Sequence, residues 1–107
     1  MNAYKTMLVT LSALANNDGL TLKKFKPVNY KSGYQVATEG IETKFLSVAA
    51  KAVLDMGGNA GVWKSDGVYY IDKSHRESTL RKALEIGKEC NQQSILKWAD
   101  KSLIWLK

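Results

Sequence analysis

The chain has 107 residues, 45% of them hydrophobic and 24% charged, proportions that suit a folded chain with one modest core and exclude a disordered one. A formal charge of +6 points to acidic partners, either nucleic acid or an acidic protein surface. No apolar run is long enough for a membrane-spanning helix, no secretory leader pattern opens the chain, and the single cysteine, Cys90, has no partner for an internal disulfide; the expectation is one cytoplasmic domain, 1–107.

Tyr4, Met7, Leu8, Leu11, Leu14 and Ala15 recur at steps of three and four, the stripe of an amphipathic helix. Asn16-Asn17-Asp18-Gly19 stops it, since Asn and Gly accept the left-handed conformation that closes helices. An extended stretch, Leu20 to Phe25, leads to a turn around Pro27, and a strand over 33–38 follows with Tyr34 and Val36 on one face. Thr43 is a cap for a second helix whose inner side carries Phe45, Ala49, Ala52, Val53 and Met56, and Gly57-Gly58 end it.

In "AGVWKSDGVYYID" (60–72), Asp66-Gly67 between two β-prone runs predicts a two-residue hairpin turn, because both turn positions need positive φ. That register sets Trp63 opposite Tyr70 and Val62 opposite Ile71. Val62 and Ile71 make the better inner pair, which turns Trp63 and Tyr70 to the other sheet face. Ser74 with Glu77, or Ser78, caps a third helix over 78–90, with Leu80, Ala83, Leu84 and Gly87 inward and Arg81 spaced to pair with Glu77 and Glu85. Two short strands, 94–98 and 102–106, turn at Asp100-Lys101.

From residue 33 the order is strand, helix, strand, strand, helix, strand. This predicts an α+β fold, a small antiparallel sheet with helices on one face, in a ferredoxin-like βαββαβ order with an N-terminal helix added. The order also resembles that of RNA-recognition sandwiches, whose open face carries stacking aromatics, although their longer consensus motif is absent from "GVYYI".

No catalytic, metal or cofactor pattern emerges. His75 and Cys90 fall at opposite ends of the third helix, about 20 Å apart, too far for a nucleophile and base. Asp72, His75 and Glu77 lack a second ligand cluster. "GGNAG" (57–61) follows a helix and precedes a strand, the reverse of a phosphate-cradling loop. The chain reads as a binding protein and not as an enzyme.

Its candidate surface is "KKFKPVNYKSGY" (23–34). Lys23, Lys24, Lys26 and Lys31 give a local +4 with no acid, and Tyr30 or Phe25 is placed to stack beside them. Such lysines contact phosphates as point charges or simply guard a strand edge. Trp63 and Tyr70 either add a stacking platform or are covered as a second small core. With only Arg76 and Arg81 as arginines, bidentate recognition has little support.

"GYQVATEG", "GVWKSDGVYYIDKS" and "ALEIGKECNQQSILKW" resemble segments of small accessory proteins of bacteriophages and mobile elements, over about residues 33–98. The resemblance implies a cytosolic protein that binds a host or phage protein, for instance as an inhibitor of a defence nuclease or an anti-CRISPR factor. Acidic mimicry of DNA is excluded by the positive charge. The leading reading is therefore docking on a protein partner, and the alternative is direct, weakly specific nucleic-acid binding through the basic segment and the aromatics.

Overall fold

A computed structural model describes residues 2–107. Its elements are α1 (Ala3–Ser12), β1 (Gly19–Lys23), β2 (Lys26–Pro27), β3 (Tyr34–Thr43), α2 (Leu46–Asp55), β4 (Ala60–Ser65), β5 (Val68–Glu77), α3 (Leu80–Glu89), β6 (Ser94–Lys97) and β7 (Ser102–Trp105). The class is α+β. The strands form an antiparallel seven-stranded sheet in the order β2-β1-β4-β5-β3-β6-β7. Within it, β4-β5-β3-β6 is the split βαβ order expected from residue 33 onward, since β5 lies between the two strands that α2 connects.

By internal contacts the chain forms two compact units, Met1–Val28 with Gly40–Lys73, and Asn29–Glu39 with Ser74–Lys107. Each takes part of β3 and part of β5. In the first unit, α1 and α2 supply Met7, Leu11, Ala49, Ala50 and Val53 to a core completed by Leu22, Ala60, Val62, Tyr69 and Ile71 from the strands. Small alanines on α2 let the helix approach its neighbours closely. Asn2 caps α1, its side-chain oxygen accepting from Lys5 N–H at 2.9 Å. Gly57 and Gly58, both at positive φ, close α2 with the paired N–H···O bonds of a Schellman motif, Gly58 to Val53 and Gly57 to Leu54. In the second unit, Val36, Ala83 and Ile95 form the core, with Tyr34, Leu84, Ile104 and Leu106 packed against it.

Several local expectations change. The turn before Pro27 is tighter than expected: Lys24 and Phe25 form it, both at positive φ, and Pro27 is already paired with Leu22. Thr43 does not cap α2. Its hydroxyl accepts from Phe45 N–H, Phe45 occupies the cap position with a side chain 68% exposed, and the helix begins at Leu46. Ser74 and Glu77 belong to β5, which runs longer than the alternation implied, and Thr79 caps α3 by accepting from Lys82 N–H. Leu80, in the first turn of α3, is exposed. Glu77 lies beside His75 at 3.4 Å and Glu85 beside Lys82, so neither is the Arg81 partner that the spacing offers.

The β4–β5 hairpin has the expected register, Trp63 opposite Tyr70 and Val62 opposite Ile71, and the turn residues Asp66 and Gly67 have φ of 51° and 75°. A Cβ on Gly67 would meet nothing within 4 Å, so the cost of a side chain there is purely that of the backbone. Gly67→Val is expected to lower stability by about 1 kcal/mol or more. A chemical-denaturation midpoint equal to wild type would contradict this.

Candidate nucleic-acid interface

In an antiparallel pair, residues directly opposite one another project to the same face. Register therefore defines the face of the first unit turned away from its core. Lys26 lies opposite Lys23. Thr21 lies opposite Gly61, and Gly61 opposite Asp72. Gly19 lies opposite Trp63, and Trp63 opposite Tyr70. The inner rows carry Leu22 with Ala60, and Leu20 with Val62 and Ile71.

The outer face thus has a lysine pair at one end and an aromatic pair at the other. The two rows lie four residue steps apart along β1, Gly19 to Lys23, about 13 Å at strand rise. Between them lie Thr21, Gly61 and Asp72, of which only Gly61 has no side chain. Trp63 is 50% exposed and its ring centroid lies 5.5 Å from that of Tyr70, tilted by 36°. Of the pair, Trp63 is the exposed ring and Tyr70 is half-buried beside it.

The lysine hairpin is held in place. Phe25 N–H donates to Gly58 O and Lys24 N–H to the Asn59 side-chain oxygen, each at 3.0 Å. The Phe25 ring packs against the main core. An aromatic residue at φ 69° is a conformation that only surrounding contacts sustain; here the closed end of α2 provides them. Lys23, Lys24 and Lys26 are all exposed around this fixed tip.

Asp72 adds an acid to the face. The Asp72 carboxylate lies over Gly40, where an added Cβ would collide with it, and burial raises its pKa above the ordinary value. The fold favours its neutral form, so the stability linked to this residue falls as pH rises past the ordinary carboxylate range and levels off above the raised value. For an anionic ligand its charge is unfavourable. Asp72→Asn is expected to tighten nucleic-acid binding about two- to fivefold at neutral pH, and the gain should shrink on acidification as the wild-type residue takes up its proton. Equal affinities for the two proteins at neutral pH would place the ligand elsewhere.

Tyr30 and Lys31 belong to the second unit. Lys31 is exposed. Tyr30 stands edge-on to Trp98, centroids 5.4 Å apart, and the Arg76 guanidinium lies 5.2 Å over its ring. Arg76 Nε donates to Ser32 O at 3.0 Å and Nη2 to Ser32 Oγ at 3.2 Å, while Trp98 Nε1, Gln35 and buried Ser74 form a hydrogen-bonded chain. The seven candidate residues therefore fall into groups: Lys23, Lys24 and Lys26 share a unit with Trp63 and Tyr70, and Tyr30 with Lys31 gains Arg76. Arginine scarcity obscured Arg76 in the sequence; a stacked Arg–Tyr pair 46 residues apart leaves no local signal.

His75 is exposed beside Glu77, and Cys90 sits half-buried as the C-cap of α3. Among the described residues no three His, Cys, Asp or Glu side chains gather as a metal site, and no helix is long and apolar enough to cross a membrane. No protein-family model, curated protein or solved structure matches this chain.

Proposed function

We propose that the protein is a non-enzymatic binder of single-stranded nucleic acid with weak sequence preference, using the outer sheet face of its first unit. The observation that carries this reading is the shared face: exposed Trp63, with half-buried Tyr70 beside it, and the Lys23–Lys26 pair project the same way from strands in register. Bases stack on such rings whatever their identity, and lysines contact the phosphates as point charges. A duplex hides its base faces and could use only the lysines. Micromolar or weaker affinity is expected at physiological salt.

The test is titration of short single-stranded and duplex oligonucleotides against wild type and Trp63→Ala, following anisotropy. Loss of the indole should weaken single-strand binding by about 1–3 kcal/mol, roughly 5- to 150-fold, and leave duplex binding nearly unchanged. Equal losses for both forms, or none, would sink the stacking role.

A second reading, an accessory factor or inhibitor of the phage type that docks on a host protein, draws on β7, where Leu103 and Trp105 are 50% and 63% exposed.

A further inference from the structure

The two outermost strands of the sheet, β2 and β7, are finished differently. β2 has two residues, and its Pro27 pairs with Leu22 next to the hydrogen-bonded pair Val28 N–H to Thr21 O. Pairs alternate in type along an antiparallel ladder, so Pro27 holds the outward-facing position, where it has no N–H to offer. A short edge carrying proline and lysine discourages strand addition.

β7 has no proline at its outward-facing positions. Leu106 N–H donates to Gln93 O at 2.8 Å, and with Ser94 opposite Trp105 and Leu96 opposite Leu103, the alternation assigns inward hydrogen bonding to Ile104. The backbone N–H and C=O groups of Leu103 and Trp105 therefore project outward from the edge. The same two residues carry the exposed apolar side chains, while Ile104 packs into the core of its unit. Lys101 and Lys107, both exposed, bracket the strand. Asp100, the acid beside Lys101 in sequence, accepts from Ser102 N–H and Oγ, and those bonds lower its pKa.

We infer that β7 accepts an extended segment of a partner protein as an added strand, one with two apolar residues at alternate positions and acidic residues at its ends. The outward main-chain groups supply the ladder, Leu103 and Trp105 meet the apolar pair, and Lys101 and Lys107 meet the acids. Charge argues against a second copy as the occupant: like strands would bring the lysine-bracketed edges of two chains, each of charge +6, together. This inference rests on the docking reading only in requiring a protein partner, and uses no residue of the nucleic-acid face.

The experiment titrates the full chain with a short peptide of that pattern, with the same peptide N-methylated at alternate amides, and with a version whose acids are replaced by lysine. Binding is followed by indole fluorescence and by amide exchange at Leu103 and Trp105. The acidic peptide is expected to bind and to slow exchange at those two amides. N-methylation on the pairing edge should cost about tenfold or more, because each blocked donor removes a ladder bond. Lysine replacement should cost a similar factor, reduced by salt. Trp105→Lys, on an exposed position that leaves the core untouched, should abolish binding with unchanged melting. No binding by the acidic peptide, binding indifferent to N-methylation, or a concentration-dependent dimer dissolved by Trp105→Lys would each overturn the inference. Capture from nuclease-treated host lysate tests the docking reading separately: a protein retained equally by wild type and Trp105→Lys keeps docking and rejects β7 as its place.

Discussion

Reversing Lys23, Lys24 and Lys26 to glutamate is expected to remove measurable nucleic-acid binding at physiological salt while the fold survives. The three side chains are exposed around one hairpin tip, so none contributes much to the core. Lys23 and Lys26 are directly opposed like charges in wild type, and two glutamates there repeat the same repulsion with the other sign. The turn geometry at Lys24 is fixed by its main-chain bond to Asn59, which glutamate retains. Binding, by contrast, loses three phosphate contacts and gains three repulsive charges. For a single strand each lost contact removes about 0.7 from the slope of log affinity against log salt, or about 2 in all. Anisotropy titrations between about 50 and 200 mM salt read both quantities. The loss should be uniform across oligonucleotide sequences, since phosphates carry no base identity. A triple variant that melts like wild type and binds with the same slope would leave the lysines as a solubilising edge, and the sheet face without an electrostatic partner.

Gly58→Val is expected to be among the most destabilising single substitutions in the chain, costing about 3 kcal/mol. Gly58 has φ 78°, which a β-branched residue adopts only under strain. Its Cβ would lie 2.6 Å from the Phe25 nitrogen and 2.7 Å from a ring carbon. Relief requires the hairpin tip to lift, which breaks the Phe25 N–H···O=C Gly58 bond and takes away the main-chain anchor of a residue held at positive φ. For a chain of this size the melting temperature should fall by roughly 15 °C. Gly57→Val is the control: it has the same kind of φ, 67°, but its Cβ would approach only the Asn59 amide, at 3.7 Å, so about 1 kcal/mol is expected. Equal losses at the two positions would mean the Phe25 contact does not hold the hairpin. A Gly58→Val chain that remains folded should also bind oligonucleotides more weakly, because its lysines are no longer presented on a fixed turn.

What the amino-acid pattern determined by itself is local and periodic. Asp66-Gly67 specified the β4–β5 turn, and alternation around it sorted Val62 and Ile71 inward and Trp63 and Tyr70 outward. Glycines after α2 and the three-four spacing of Met7, Leu8 and Leu11 were equally legible, because capping and amphipathicity are decided within a few residues. The order of elements from residue 33 carried the strand order. What tertiary structure alone decided lies where contact outweighs propensity. Lys24-Phe25 is no turn signature; it turns because Gly58 and Asn59 receive its amides and the core receives its ring. Phe45 looked like an inner-face residue, yet the helix starts one residue later and leaves it in solvent. Ser74 offered a cap and became a buried strand residue, held by Gln35 from 39 positions away. Tyr30 and Arg76 found each other in the same way. The division after Val28, inside the basic segment itself, was invisible too: the residues flanking it look alike in sequence, and only their long-range partners assign Lys26 to one unit and Tyr30 to the other.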